Sequence, residues 1–230
     1  MPANASPSAL RSITDLAPAA PEVRLLLARH GQTLWNAAGR YQGQSDPPLS
    51  PEGKAEAAAL VETLRGERIG AVLASPLRRA AATAAILARA LGLPPPLTDP
   101  RLIELGYGAW EGLTQAEAKA RWPALLRCWK RAPETVRFPD GEDLATVRAR
   151  LDALLAARPW ETAVAPGGAA PGGAVLLVTH AGPIRLLRLA AEARPLAEFR
   201  RIETPPGSLH VLRLHAGRLS LVEPAQPAAG

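Results

Sequence analysis

The chain is short of several features, and each shortage excludes a class of protein. Its single cysteine, Cys128, cannot form an internal disulfide, so we expect a reducing, cytoplasmic setting. Apolar runs stay well below the ~20 residues that span a bilayer, which argues against a membrane partner. Residues 1–20 lack an apolar core segment and carry only one basic residue, so they resemble neither a secretory signal nor a transit peptide.

Lysine is also scarce, although the chain is basic. Three of the 27 basic residues are lysines, and the formal net charge is +6. Arginine suits phosphate and carboxylate recognition because its planar fork donates hydrogen bonds in pairs. However, alanine, proline and glycine are abundant too, as a GC-rich genome produces, so arginine content alone assigns no function. The basic residues form no continuous run, and we therefore predict no nucleic-acid partner.

The composition is that of a globular protein. The 230 residues are 47% hydrophobic and 21% charged, which is enough to bury a substantial core. We predict one domain over residues 21–223, with disordered tails at 1–20 and 224–230. A Gly/Pro/Ala-rich segment at 163–173 precedes a strand pattern and predicts a flexible loop inside that domain.

Short apolar runs alternate with amphipathic stretches along the chain. Strands are predicted at Val23–Ala28, Ala71–Ala74 and Val175–Thr179, helices at Pro51–Arg65, Leu77–Leu91, Gly141–Ala157 and Pro183–Ala193, and a hairpin at Leu209–Leu214 and Leu219–Val222. This alternation predicts an α/β fold, a three-layer α/β/α sandwich around a mostly parallel central sheet. Such sheets bind ligands beyond the carboxyl ends of their strands.

Histidines and arginines follow the predicted strands. The first strand runs into Arg29 and His30, the second into the segment Ser75–Ala80 with its paired arginines, and the third into His180. Two histidines and two arginine sites at one sheet edge suit a phosphoryl group. Arginines clamp its oxygens, and a neutral imidazole nitrogen can attack phosphorus. The mechanism also needs an acid for the leaving oxygen, and Glu104, in a glycine-rich segment, is our candidate.

The segment Arg29-His30-Gly31-Gln32-Thr33-Leu34-Trp35-Asn36 resembles the signature of the histidine phosphatase superfamily, whose fold is that of phosphoglycerate mutase. Five further motifs resemble that family in the same order, over about residues 22–215. These are Gly43–Gly53, Ser75–Ala80, Glu104–Gly112, Pro139–Glu142 and Val178–His180. The resemblance implies a phosphoglycerate mutase-like sandwich and a phosphomonoester hydrolase that acts through a phosphohistidine.

The resemblance also implies roles for individual residues. His30 corresponds to the nucleophile, and Arg29 and Arg79 to the ligands of the phosphoryl oxygens. His180 is expected beside them, either charged or donating a hydrogen bond. Glu104 corresponds to the general acid that later activates water.

Four further positions are expected to line the phosphate site. Asn36 would donate to the phosphate, Gln42 and Gly43 would line its edge, and the backbone N–H of Ala181 would add a donor. Many family members have glycine at the position of Ala181, and alanine excludes a positive φ there.

The resemblance implies a site without metal or cofactor, in which arginines take the place of magnesium. A rival interpretation makes His30, His180 and Glu104 metal ligands, since such a set is chemically plausible. We disfavour it because two arginines at the same strand ends would repel a divalent cation.

Three alternatives remain open at this stage. The first is a cofactor-dependent phosphoglycerate mutase, because Lys130 and Arg131 could bind an anionic substrate as basic residues do in the mutases. The second is a non-catalytic phosphate-binding relative. The identity of the substrate is the third open point. We expect a small phosphorylated metabolite, but the chain is similar both to broad-specificity phosphatases and to α-ribazole phosphatases, so the sequence does not say which one. A homodimer through an exposed edge strand is also possible.

Overall fold

The computed structural model describes residues 22–161 and 173–222. Within these residues, six strands form one sheet: β1 (Val23–Arg29), β2 (Ile69–Ala74), β3 (Leu97–Thr98), β4 (Ala174–Thr179), β5 (Leu209–His215) and β6 (Arg218–Leu221). The strand order is β3-β2-β4-β1-β5-β6, and the first four of these run parallel. β5 is antiparallel to both β1 and β6. The predicted mostly parallel sheet is therefore confirmed.

Seven α-helices connect and cover the strands of the described chain: α1 (Leu34–Ala37), α2 (Pro51–Leu64), α3 (Arg78–Ala90), α4 (Gln115–Arg121), α5 (Pro123–Arg131), α6 (Leu144–Ala157) and α7 (Ala181–Ala191). Short 3₁₀ helices lie at Pro100–Leu102, Gly108–Trp110, Pro133–Thr135, Pro159–Glu161 and Leu196–Arg201. None of the helices in this part of the chain is long and apolar enough to cross a membrane.

The sheet separates two hydrophobic cores, which makes three layers. Along β1 successive side chains point to opposite faces, as in any strand. Leu26 and Ala28 pack with apolar residues of α2 and α3, whereas Leu25 and Leu27 pack with those of α6 and α7. All four side chains are completely buried, so the strand is apolar on both faces rather than alternating.

Helix α2 begins where the sequence predicts. The Ser50 hydroxyl accepts a hydrogen bond from the backbone N–H of Gly53 at 3.1 Å, and Pro51 occupies the first helical position. Capping by serine satisfies one of the N–H groups that lack a partner in the first turn. Proline at the first helical position costs no hydrogen bond, because the N–H that it lacks would have no partner within the helix.

Two predicted helix starts are shifted by two residues or more. α7 begins at Ala181, two residues before the predicted Pro183, because His180 has extended backbone and serves as the cap residue. α6 begins at Leu144 rather than Gly141, because the Asp143 carboxylate caps it by accepting from the next turn. The earlier start of α7 matters for function, since it brings the helix N-terminus directly against the histidine.

Several predictions fall partly outside the described residues. The tails at 1–20 and 224–230 and nearly all of the loop at 163–173 lie there, so these assignments, and with them the limits of the single domain, stay predictions. The hairpin is confirmed, and its turn uses Ala216 and Gly217 at positive φ of 46° and 75°.

Candidate active site

The predicted site residues meet at the carboxyl ends of β1, β2 and β4. Arg29 pairs with Thr179 across the two central parallel strands, so the residues that follow them, His30 and His180, leave the sheet side by side. Their ring centroids are 5.0 Å apart in an edge-on arrangement, and both side chains are buried. This convergence follows from parallel pairing and was predicted.

The hydrogen bonds of His30 determine which ring nitrogen can react. Nδ1 lies 2.7 Å from the carbonyl oxygen of Gly31, and a carbonyl only accepts, so Nδ1 carries the proton. Nε2 therefore holds the lone pair, and it accepts a hydrogen bond from Nε of Arg79 at 3.3 Å. Burial, followed by the charges of Arg29 and Arg79, holds the His30 pKa well below its usual value. The imidazole is thus neutral and oriented.

Arg79 is fixed by a loop before it meets any substrate. Its Nη1 donates to the Ser45 carbonyl and its Nη2 to the Gly43 carbonyl, both at 2.7 Å. Gly43 has a φ of +53°, in the left-handed region that favours glycine, and this turns its carbonyl toward the arginine. The adjacent Arg78 is exposed, whereas Arg79 is buried against His30, and its role as a phosphate ligand stays a prediction.

Arg29 reaches the site from the last position of β1. One guanidinium nitrogen donates to the Thr204 carbonyl, while its buried Nε has no hydrogen-bond partner among the described residues. Burial, opposed in part by Glu104, lowers the Arg29 pKa to about 10. A partly buried cation with a buried, unused donor is matched to an anionic ligand.

His180 is held by a neighbouring strand end. Its Nε2 lies 2.8 Å from the Ser75 hydroxyl, and within the described chain its buried Nδ1 has no partner. Burial, and then the nearby charge of Arg79, hold the His180 pKa well below its usual value. Of the two states that the sequence left open, charged or donating a hydrogen bond, this environment favours a neutral ring that donates through one N–H.

Glu104 lies in the site on a loop anchored to α7. Its Oε1 accepts from the backbone N–H of Leu105 at 2.8 Å and of Gly182 at 2.9 Å. A Cβ on Gly182 would stand 2.3 Å from that oxygen, so only glycine allows this contact. The negative charge of the carboxylate raises the pKa of both Arg29 and Arg79 against the effect of burial.

Two of the remaining predicted positions, Asn36 and Gln42, meet at Thr33. Asn36 Oδ1 accepts from the Thr33 backbone at 3.1 Å, and Gln42 Oε1 accepts from the Thr33 hydroxyl at 2.9 Å. These bonds use the amide oxygens and leave the amide nitrogens as donors. Ala181 is the first residue of α7 and is partly exposed. The phosphate contacts of these positions stay predictions.

Glu111 joins the two loops of the site, as a structural carboxylate rather than the acid. Its Oε1 accepts from the backbone N–H groups of Gln44 and Tyr107 at 2.9 and 3.1 Å. Its Oε2 accepts from the Ser45 backbone and hydroxyl at 2.7 and 2.6 Å. The same loop holds Arg79 through its carbonyls, so Glu111 links the acid segment to the arginine.

One contributor was missed from the sequence. Arg150, on α6, donates through Nη2 to the Glu104 carbonyl at 3.0 Å and through Nη1 to the Arg101 carbonyl at 2.7 Å. It holds the backbone on either side of the acid. Its Nη2 also lies 3.4 Å from Glu142 Oε2. No local pattern marks Arg150, because the two carbonyls that it binds lie more than forty residues away along the chain.

The described residues offer no group of three or more His, Cys, Asp or Glu side chains that could hold a metal ion. The rival metal interpretation is not favoured by this geometry either, because the guanidinium of Arg79 hydrogen-bonds the nitrogen of His30 that would have to ligate. Metal independence itself stays a prediction for experiment.

Comparison with known proteins defines the class. The sequence matches the histidine phosphatase superfamily (branch 1) over residues 25–226, and the chain belongs to that family. It is 32% identical over 199 residues to phosphoserine phosphatase 1 of Hydrogenobacter thermophilus, which covers 85% of this chain and 89% of that protein. The predictions of the family and of a phosphatase are therefore confirmed.

Two further relatives support the same placement. The structure of the mycobacterial glucosyl-3-phosphoglycerate phosphatase Rv2419c has a TM-score of 0.73 and 33% identity, covering 87% of this chain and 97% of that one. The bifunctional protein Rv2228c of Mycobacterium tuberculosis is 39% identical over 202 residues. The match covers 87% of this chain but only half the length of Rv2228c.

Proposed function

We propose that this protein is a metal-independent phosphomonoester hydrolase in which His30 is the nucleophile. One observation carries the proposal: His30 is neutral, with its proton on Nδ1 and the Nε2 lone pair beside the Arg79 guanidinium. A phosphoryl group bound by that guanidinium has its phosphorus within reach of Nε2. His30 and the Arg79 guanidinium are therefore already oriented. Positioning and electrostatic stabilisation account for most of the catalysis of phosphoryl transfer.

In the first step, His30 Nε2 attacks phosphorus and forms an N–P bond. The bond from phosphorus to the ester oxygen breaks, and that oxygen leaves with a proton supplied by Glu104. Arg29 and Arg79 bind the phosphoryl oxygens, and Asn36 and Gln42 donate at their edge. His180 donates to the same group through a ring N–H. The product is a phosphohistidine and a free alcohol.

In the second step, water attacks the phosphohistidine. The Glu104 carboxylate, now deprotonated, takes a proton from that water, the N–P bond breaks, and inorganic phosphate leaves. The bonds that hold Glu104 to the N-terminus of α7 keep it in place for both steps. Because the arginines neutralise the phosphoryl charge, the cycle requires no metal.

The first test is hydrolysis of p-nitrophenyl phosphate with EDTA present throughout. Wild type should turn over, and His30→Ala should lose at least about 10³-fold, since the covalent route disappears. His215→Ala is the matched control, because His215 is exposed at the end of β5, and it should behave as wild type. Robust activity of a clean His30→Ala preparation would end the covalent mechanism.

A second measurement separates hydrolysis from the mutase alternative. Wild type is mixed with 2,3-bisphosphoglycerate, and the intact protein is analysed by mass spectrometry at neutral pH. A hydrolase should show little lasting phosphoryl adduct, because water removes it. A stable adduct on His30 together with absent ester hydrolysis would instead support a mutase.

The substrate class and location are part of the proposal. Phosphoserine and glucosyl-3-phosphoglycerate, named for the relatives, are small phosphorylated molecules, and we propose a small phosphorylated metabolite here. The lone Cys128, which is exposed and unpaired, supports a reducing cytoplasm. A homodimer and the absence of a nucleic-acid partner stay predictions.

A further inference from the structure

Glu56, on α2, is a carboxylate that contacts the segment of the nucleophile and that the proposed mechanism does not use. Its Oε2 accepts a hydrogen bond from the backbone N–H of Gln32 at 2.7 Å. The side chain is partly buried, and no arginine or lysine of the described residues forms an ion pair with it. A carboxylate without a counter-ion therefore binds a main-chain N–H two residues after His30.

The peptide between Gly31 and Gln32 connects this carboxylate to His30. Its N–H donates to Glu56, and its carbonyl oxygen, 2.7 Å from His30 Nδ1, accepts from the imidazole. The described chain contains no cis peptide bond, so the N–H and the C=O of this unit point in opposite directions. The peptide therefore lies between imidazole and carboxylate, with a hydrogen bond to each of them.

The first turn of α2 fixes the position of this peptide. The Ser50 N–H donates to the Gln32 carbonyl at 2.9 Å. A Cβ on Gly31 would stand 2.0 Å from the Gly53 carbonyl oxygen, and a Cβ on Gly53 would stand 2.0 Å from the Gln32 carbonyl oxygen. Backbone packs directly on backbone here, which requires glycine at both positions. Glu56 follows Gly53 by three residues and so lies on the same face of the helix.

Thr83, on α3, holds the peptide on the other side of Gly31. The Gly31 N–H donates to Thr83 Oγ1 at 3.2 Å, and that hydroxyl donates to the Arg79 carbonyl at 2.9 Å. Side chains from two helices thus hold both peptides that flank Gly31. The carbonyl that accepts from His30 Nδ1 therefore has one orientation.

We infer that Glu56 is a positioning residue for the nucleophile: it orients and polarises the Gly31-Gln32 peptide, whose carbonyl stabilises the imidazole while His30 Nε2 attacks phosphorus. The inference rests on the proposed hydrolase and deepens it. When the Nε2 lone pair forms the N–P bond, the ring keeps its proton on Nδ1 and gains positive charge. A hydrogen bond from the peptide N–H to an anion makes the carbonyl of the same peptide a stronger acceptor for that proton.

The test compares Glu56→Gln and Glu56→Ala by kcat/KM for p-nitrophenyl phosphate. Glutamine keeps an oxygen that can accept from the Gln32 N–H but loses the charge, whereas alanine loses both. We expect kcat/KM to fall roughly 3- to 10-fold in Glu56→Gln and roughly 10- to 100-fold in Glu56→Ala, because a hydrogen bond to a charged group is about twice as strong as a neutral one.

Two further measurements separate this role from general support of the loop. Inorganic phosphate binds without attack on phosphorus, so its inhibition constant should stay near wild type in both variants while kcat/KM falls. The proton on His30 Nδ1 reports its hydrogen bond directly, since a stronger bond moves the NMR resonance downfield. That resonance should lie farthest downfield in wild type, then in Glu56→Gln, then in Glu56→Ala.

Glu62→Gln and Glu62→Ala are the matched controls, because they remove a carboxylate from the same helix. Glu62 is exposed and pairs with Arg65 at 2.7 Å, so all three measurements should match wild type. Alanine is a good helix former, and Glu56→Ala should therefore unfold near the wild-type temperature. If that variant does not fold, Glu56→Gln decides the test, because it keeps the hydrogen bond.

The outcomes distinguish this inference from the function on which it rests. A wild-type kcat/KM in Glu56→Ala, or identical Nδ1 proton resonances in the three proteins, overturns the inference. An inhibition constant for phosphate that rises in proportion to the loss of kcat/KM also overturns it, because Glu56 would then hold the phosphate site as a whole. In each case the hydrolase stands if His30→Ala is inactive. Robust activity of His30→Ala overturns both proposals.

Discussion

His30, a single residue, shows how burial and two hydrogen bonds keep an imidazole neutral and in one orientation. Unperturbed histidine has a pKa of about 6.5, so a fraction is protonated near neutral pH. Here burial and the charges of Arg29 and Arg79 lower the His30 pKa, so the protonated form is not populated near neutral pH. The Gly31 carbonyl accepts from Nδ1 and thereby selects the tautomer. The lone pair is therefore on Nε2 before substrate arrives. A bound phosphate dianion counters the arginine charges only after the imidazole has been oriented.

Gly182 gives a residue-scale prediction. Gly182→Ala places a Cβ 2.3 Å from Glu104 Oε1, and the flexible carboxylate must move away. We expect kcat to fall roughly 10- to 100-fold, and more for esters with poor leaving groups, because departure then depends on the acid. Measuring kcat for phenyl phosphate and p-nitrophenyl phosphate tests this.

Thermal unfolding provides the control for that variant. Alanine favours a helix over glycine, so Gly182→Ala should unfold at or above the wild-type temperature. Equal activity losses on both esters, or a large drop in Tm, would contradict displacement of the acid as the cause.

At the scale of elements, the site depends on loops that are fixed to one another. Glu111 accepts four hydrogen bonds, three from the Gln44-Ser45 loop that holds Arg79 and one from Tyr107. Arg150 ties α6 to the carbonyl of Glu104. Neither residue has to touch substrate in the proposed mechanism, yet together they set the distance between the arginine and the acid.

Glu111→Ala tests this coupling. Without the carboxylate, the loop at Ser45 loses its anchor and Arg79 loses the fixed carbonyls that orient it. We expect kcat/KM for p-nitrophenyl phosphate to fall at least about tenfold, since misplacement of a clamp raises the barrier directly. Steady-state kinetics measure the effect.

Glu117→Ala is the matched control for that variant. Glu117 also anchors a loop, by accepting from Thr114 at the start of α4, but it lies away from the arginine. It should lower stability slightly, because the capping box of α4 is lost, and leave kcat/KM near wild type. Similar activity in both variants would show that Glu111 acts on folding alone.

At the scale of the whole molecule, buried neutral histidines make stability depend on pH. Burial is the main cause that lowers the pKa of His30 and His180 far below the usual value, and that of His210 to about 4. The unfolded chain binds protons at these positions below pH about 6.5, while the folded one does not. Stability is therefore full above that pH and is lost as the pH falls below it.

Urea unfolding at pH 7.5, 6.0 and 5.0 measures this dependence. Each histidine that stays neutral on folding contributes a slope of up to about 1.4 kcal/mol per pH unit. His180→Asn should remove one such contribution, so its stability should fall less steeply than that of wild type over this range. Parallel curves for the two proteins would show that His180 is protonated in the folded state.

Much of the molecule could be predicted locally. The apolar runs, the Ser50-Pro51 helix start and the Ala216-Gly217 turn depend on neighbours in the chain, so their residue types suffice. The chemistry at the strand ends was also predictable, because parallel strands place their carboxyl ends together. The start of α7 was misplaced, since a proline is tolerated anywhere in the first turn and does not by itself mark the first residue.

The sequence by itself determined the family, the sheet and which side chains meet beyond it. Tertiary structure alone decided that His30 and His180 are neutral, that the lone pair of His30 is on Nε2, and that Arg150 and Glu111 hold the loops. Protonation state and orientation depend on desolvation and on hydrogen bonds between segments distant in the chain. Those bonds exist only after packing has brought the segments together, so no local pattern encodes them.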